Sequence, residues 1–148
     1  MPAFAPTRTP LATKTVTFTG ASGLGLNGTT TSLFTVAGGL VRIVSISARP
    51  TTNTTVSNVL ATLSVGPVGN VAMLIPAFAA NLLVTTTPVV VSAVPTAGGL
   101  AIPAAAKDSA VAASIIATAG GTGDVTGGVV EFNVEWQPLT PGATLVAA

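Results

Sequence analysis

The chain of 148 residues has the length of one domain, and its five cationic and four anionic side chains give a formal net charge of +1. Charged residues are 6% of the chain, against about 25% in an average soluble domain, so the basic surface that nucleic-acid binding needs is missing. With no histidine and no cysteine, the chain also lacks most general bases, thiolate nucleophiles and transition-metal ligands. The longest apolar run, 71–84, is shorter than the roughly 20 residues of a transmembrane helix, so we expect no membrane span.

The few charges are unevenly distributed. Residues 50–106 form a stretch of 57 residues without a single charged side chain. Polarity comes instead from 24 threonines and 9 serines, whose hydroxyl groups form hydrogen bonds but give no electrostatic repulsion between copies. We therefore expect the protein to cover part of its surface in an oligomer or a lattice.

The chain begins with a proline-rich segment. Pro2, Pro6 and Pro10 fix the backbone and remove donors, so residues 1–12 are expected to form an extended N-terminal arm. One interpretation is a frayed terminus; another is an arm that lies over a neighbouring subunit, anchored by Phe4 and Leu11. A β-sandwich domain is predicted over 13–138 and a C-terminal tail over 139–148.

Alternation of apolar and polar residues predicts short strands along the rest of the chain. The clearest are 13–19 and 128–137; in the second, Val130, Phe132, Val134 and Trp136 are expected to face the core. Further strands are predicted over 32–36, 40–49, 58–65, 71–75, 82–86, 88–94 and 111–118, with an edge strand or loop at 100–106. In 58–65, Val59 and the alternate residues after it are expected to point inward.

The predicted strand 40–49 has apolar residues on both sides. One face would hold Leu40, Arg42, Val44 and Ile46, and the other Val41, Ile43, Ser45 and Ser47. This pattern predicts a central strand covered on both faces. Arg42 is then expected either to reach water at an edge along its aliphatic stem or to pair with an acid.

Glycine, proline and asparagine separate these strands and predict loops at 20–28, 50–55, 66–70, 95–99 and 119–128. Residues 77–81 are expected to be irregular or a single helical turn. The glycines of 20–28 do not predict a phosphate-binding loop, since no helix signal or lysine follows. Eight or nine short strands without an amphipathic helix predict an all-β protein, an antiparallel β-sandwich or jelly roll.

A pair of carboxylates is the remaining option for catalysis. Glu131 and Glu135 share a strand face about 13 Å apart at about 3.3 Å per residue, beyond the roughly 5–9.5 Å of glycosidase pairs. We interpret them as a solvated face or as interface ion-pair partners of Arg42 or Arg49. Asp124, a single carboxylate in a glycine-rich loop, is a weak candidate for Ca²⁺. We expect a protein that is not an enzyme, without catalytic residues, cofactor or metal.

Two parts of the sequence resemble a known group of proteins. Residues 41–46 and 61–70 resemble a pattern in small virion proteins of tailed bacteriophages. Residues 128–139, followed by Gly142 and Ala143, resemble the closing strand and tail of the same proteins. The resemblance implies a structural particle component, such as a head-decoration or fibre protein, often trimeric, and it carries over no catalytic residue.

The leading hypothesis is a capsid decoration (cement) protein that assembles as a homotrimer on the phage head. Its expected partners are other copies of itself and the major capsid protein or other virion proteins, with no nucleic acid and no membrane. Its expected location is the virion, assembled in the host cytoplasm. Candidate interface residues are Phe4, Leu11, Arg42, Arg49, Glu131 and Glu135. The alternatives are a tail or head fibre knob that binds host-surface glycan and a small shell-forming coat protein.

Overall fold

The structure is a computed structural model and describes residues 9–85 and 110–148. Within these residues the chain forms nine strands and one 3-10 turn, Ala80–Leu82, and no α-helix. The strands are β1 Leu11–Thr17, β2 Thr30–Ala37, β3 Val41–Val56, β4 Ala61–Pro67, β5 Ile75–Ala79, β6 Ala110–Val111, β7 Ile115–Gly121, β8 Val125–Pro138 and β9 Thr144–Ala147. The strands predicted between 86 and 106, and Phe4, lie outside the described residues.

The strands form two antiparallel sheets, one in the order β1-β8-β3-β6 and the other in the order β5-β4-β7-β2-β9. Four of the pairings join β1 to β8, β2 to β7, β3 to β6 and β4 to β5. These are the pairings of one long hairpin that wraps into two sheets, which is the topology of an eight-stranded jelly roll. The short β9 adds a strand at the edge of the second sheet. The prediction of an all-β, jelly-roll-like sandwich is confirmed.

The core lies between the two sheets and follows the alternation along each strand. On β8, Val130, Phe132 and Val134 are buried as predicted, and Trp136 packs partly buried against the same core. Burial of each such side chain contributes about 1.5–3 kcal/mol. The largest fully buried side chains are Phe18, Phe34, Phe132, Leu33, Ile43, Leu63, Ile75, Leu83 and Ile115.

The predicted assignment of the β3 side chains to the two faces of the strand is wrong after Ile43. Val41 and Ile43 point into the core, but a bulge between Ile43 and Ser45 shifts the alternation, so that Ile46 is buried and Ser45 is exposed. A bulge inserts one residue into one strand of a pair and reverses the facing that follows. β3 is also not covered on both sides, because the outward face that carries Ser45 and Arg49 is exposed.

Two predicted loops are strands. The loop expected at 50–55 belongs to β3, and most of the loop expected at 119–128 belongs to β7 and β8, with only a short turn at 122–124. At Gly128, which has φ +107°, a Cβ atom would lie 2.6 Å from the Cα of Thr54. The glycine signal here therefore marks a close approach of β8 to β3.

Smaller corrections concern the ends of elements. Leu11 and its neighbour already belong to β1, although the arm was predicted to run through residue 12. The predicted hairpin partner 71–75 is mostly turn; the strand that pairs with β4 is β5, which contains Pro76 as edge strands can. Residues 82–85 form no strand, and the 3-10 turn occupies part of the segment predicted as irregular or helical. The expected C-terminal tail contains β9, which pairs with β2.

Candidate assembly surface

The outward side of the four-stranded sheet carries most of the charged side chains in the described part of the chain, and we call it the polar face. The strand register places β8 between β1 and β3. Three residues of β8 each have a neighbour on both sides: Glu135 lies between Leu11 and Ser45, Asn133 between Thr13 and Ser47, and Glu131 between Thr15 and Arg49. Of the six charged residues in the described part of the chain, four lie on this face: Arg42, Arg49, Glu131 and Glu135.

Hydrogen bonds connect the side chains at the centre of the polar face. Arg49 Nη2 and Asn133 Nδ2 both donate to Glu131 Oε1 at 3.0 Å, and Thr13 Oγ1 donates to Asn133 Oδ1 at 2.7 Å. The hydrogen bond from Asn133, aided by the positive charge of Arg49, lowers the pKa of Glu131 below its ordinary value. The ion pair predicted for these residues forms within one copy of the chain, between Arg49 and Glu131.

The structure brings five of the six predicted interface residues to this one face. Leu11 is 63% exposed at the edge strand, and Arg42 lies opposite Gln137. Glu135 is exposed and is separated from Glu131 by Asn133, so the two carboxylates do not converge. Lys14 lies on the other side of β1, where its ammonium group donates to the backbone carbonyl of Ala148.

The charge-free stretch contributes a largely buried strand to the five-stranded sheet. Its strand β4 lies between β5 and β7, and even the outward-pointing Ser64 is only 6% exposed. A Cβ atom at Gly66, on the same side of β4, would lie 2.1 Å from the backbone oxygen of Asn70. The turn after β4 therefore passes directly over the outward side of that strand.

At one end of the sandwich, three turns meet and carry an exposed aliphatic group that we call the apolar tip. It consists of Leu26 in the β1–β2 loop, which is 38% exposed, and of Val59 and Leu60 in the β3–β4 turn, which are 68% and 60% exposed. Val59 was predicted to point inward in a strand, but β4 begins only at Ala61. Two consecutive aliphatic residues after Asn58, where turns are usually polar, are the signal that could have revealed this tip.

Side-chain to backbone hydrogen bonds hold the three turns together. Asp124, in the β7–β8 turn, accepts from the backbone N–H of Asn27 through Oδ1 at 2.8 Å. Its own N–H donates to Ser57 Oγ at 2.8 Å, and its carbonyl accepts from the N–H of Ser57 at 3.0 Å. The Nδ2 of Asn27 also reaches the carbonyl of Gly121 at 3.3 Å. The Asp124 carboxylate, considered above for Ca²⁺, thus serves here as a link between turns.

No group of three or more acidic, histidine or cysteine side chains among the described residues is arranged to hold a metal ion. No helix in the described ranges is long and apolar enough to cross a membrane. Comparisons with protein-family models, curated proteins and solved structures found no significant match. The surfaces themselves are therefore the basis for a functional proposal.

Proposed function

We propose that the protein is a capsid decoration protein of a tailed bacteriophage and assembles as a homotrimer on the head. The observation that carries this proposal is a jelly-roll strand order on a chain with only 6% charged residues. Jelly rolls occur in viral capsid proteins, lectins and cupins, and this sequence has no histidine to bind the metal ion of a cupin-type site. The resemblance of residues 41–46, 61–70 and 128–139 to small virion proteins supports the same class.

The distribution of charge supports an assembled state. A net charge of +1 gives little repulsion between copies, and several large aliphatic side chains are more than half exposed in one copy. The polar face is the part best suited to remain in water. An interface role for Arg42, Arg49, Glu131 and Glu135 stays a prediction, since the Arg49–Glu131 pair is already satisfied within one copy.

Binding to capsids that lack the protein tests the proposal. Purified protein is added in increasing amounts to undecorated capsids of the phage that encodes it, and occupancy is measured by co-sedimentation and by electron microscopy. We expect saturable binding at a fixed ratio to the major capsid protein, and no binding to capsids that are already decorated. Absence of saturable binding refutes the decoration function, and a stable monomer in native mass spectrometry refutes the trimer.

A second candidate function, glycan binding by a fibre knob, is favoured by the polar face. Its linked Thr13, Asn133, Glu131 and Arg49 present hydroxyl, amide, carboxylate and guanidinium groups together, which are groups that hydrogen-bond sugar hydroxyls. Among residues 9–85 and 110–148 the face has no aromatic side chain for a sugar to stack on, because Trp136 lies on the core side. A glycan array with the wild type and Asn133→Ala separates the two functions: glycan binding that this substitution abolishes favours the knob.

A further inference from the structure

We infer that the dipeptide of Asn27 and Gly28 is a modification site, at which the asparagine side chain is converted to a carboxylate when the turns around it open. This site is independent of the proposed function. Of the six asparagines in the chain, Asn27 is the one that a glycine follows. Both residues are exposed in the β1–β2 loop, so water reaches them.

The reaction, a deamidation, needs only the dipeptide and water. The backbone nitrogen of Gly28 loses its proton and bonds to Cγ of Asn27, while the bond from Cγ to Nδ2 breaks and ammonia leaves with that proton. Water then opens the cyclic imide at either of its carbonyl carbons, which gives aspartate or isoaspartate at position 27. Glycine favours closure of the ring, because it has no Cβ to hinder the approach and its backbone is unusually free.

In the folded chain, hydrogen bonds engage the groups that would have to react. The N–H of Gly28 donates to the Ala119 carbonyl at 2.9 Å, next to the end of the β2–β7 pairing. Asn27 donates twice, from Nδ2 to the Gly121 carbonyl at 3.3 Å and from its backbone N–H to Asp124 Oδ1 at 2.8 Å. The Asp124 carboxylate also disfavours a negative charge on the next backbone nitrogen along the chain. We therefore expect the folded turns to suppress the reaction.

The product would weaken the contacts that join the three turns at this end of the sandwich. A carboxylate at position 27 has no hydrogen to donate to the Gly121 carbonyl. It also places a second negative charge next to Asp124, and the two groups repel each other at neutral pH. Isoaspartate in addition lengthens the backbone by a carbon atom, which displaces the Gly28 N–H from Ala119. A chain that reacts while it is open therefore refolds less well, and its unfolding becomes partly irreversible.

The rate of the reaction tests the site in the unmodified protein. Wild type is incubated at mildly alkaline pH, native or in guanidinium chloride, and tandem mass spectrometry of its peptides measures aspartate and isoaspartate at each asparagine. Asn58 and Asn70, which are also exposed but are followed by the β-branched valine, serve as internal controls. In the unfolded chain we expect position 27 to react roughly tenfold faster than either control. Equal rates at the three asparagines overturn the site.

The same data test the protection by the fold. We expect position 27 to react roughly tenfold or more slowly in the native protein than in the unfolded chain, since the turns must open first. In native Asp124→Ala, which loses the acceptor for the Asn27 N–H, the reaction should be roughly tenfold faster than in native wild type. Glu135→Ala, which removes an exposed carboxylate from the polar face, should react as wild type does. Equal rates in native and unfolded wild type, or an unchanged rate in folded Asp124→Ala, overturn the protection.

Two substitutions test what the product does to the protein. Asn27→Asp imitates the product, and Asn70→Asp makes the same change in another exposed turn. At neutral pH we expect Asn27→Asp to have a Tm lower than that of Asn70→Asp by about 2–4 °C. Wild type stored in guanidinium chloride should also lose refolding yield with time, measured by Trp136 fluorescence, faster than Asn27→Gln, whose longer side chain closes a less favourable ring. An equal Tm, or an equal loss of yield, overturns the weakening of the turns by the product.

Discussion

Gly66 in β4 offers a sharp test of the packing of the five-stranded sheet. Although glycine in a strand usually weakens it, Gly66 lies where the turn after β4 passes over that strand. We expect Gly66→Ala to destabilise the protein strongly. The matched control is Gly69→Ala, three residues further along the chain, in the turn that follows β4.

The structure gives different physical reasons for the two effects. A Cβ atom at Gly66 would lie 2.1 Å from the Asn70 oxygen, 2.8 Å from the Val71 carbonyl carbon and 2.9 Å from the Met73 nitrogen. Backbone atoms cannot rotate away, so we expect the upper end of the overpacking range, about 3 kcal/mol. Gly69 has φ +96° and no neighbour within 4 Å of its Cβ position, so alanine there meets only backbone strain of about 1–2 kcal/mol.

Urea unfolding, followed by the fluorescence of Trp136, the one tryptophan, measures the free energy of unfolding of both variants. Both replace glycine by alanine, so their effects on the unfolded chain are similar and largely cancel in the comparison. At about 2–4 °C per kcal/mol for a chain of this length, Gly66→Ala should lower Tm by about 6–12 °C. A Gly66→Ala protein as stable as wild type, or more stable than Gly69→Ala, would refute the close passage of the turn over β4.

Two further substitutions test polar groups. Because the pKa of Glu131 is lowered by Asn133 and Arg49, its contribution to stability is complete above the ordinary value of 4.5 and is lost as pH falls through the lowered value. Glu131→Gln should therefore flatten the acid side of a stability-against-pH curve, and an unchanged acid side contradicts this. Thr54→Val removes a buried hydroxyl that is hydrogen-bonded to two backbone carbonyls. We expect it to lower the free energy of unfolding, measured in urea, by about 1–2 kcal/mol. The control Thr52→Val, at an exposed position, should change that free energy by under about 0.5 kcal/mol.

The sequence predicts the fold well where one side of a strand is polar. On β8 the glutamates alternate with apolar residues, so its facing could be read directly from the sequence. On β3 both sides are partly apolar, and the bulge after Ile43 depends on how β3 pairs with Trp136 and Glu135. No local pattern contains that information. The glycine pattern was misleading for a similar reason. Glycine permits a close approach between two strands, as Gly128 does, as readily as it permits a loop.

The candidate surfaces, like the fold, could be predicted only in part from the sequence. Alternation predicts that Glu131 and Glu135 share a face, but the pairing of Arg49 with Glu131 depends on the register between β3 and β8. The apolar tip was missed because Val59 continues the alternation of β4 by one step. Asn58 ends that pattern through a hydrogen bond to the backbone N–H of Leu60, which periodicity alone does not reveal.

The C-terminal residues allow the role of β9 to be tested within two adjacent positions. Leu145 and Val146 are neighbours of similar chemistry, but Leu145 is 2% exposed in the core and Val146 is 54% exposed. Leu145→Ala should destabilise by about 2–5 kcal/mol through lost burial and a cavity, and Val146→Ala by under about 0.5 kcal/mol. Urea unfolding of both proteins measures the difference. If residues 144–147 were a solvated tail, the two substitutions would have equal and small effects, and the pairing of β9 with β2 would be wrong.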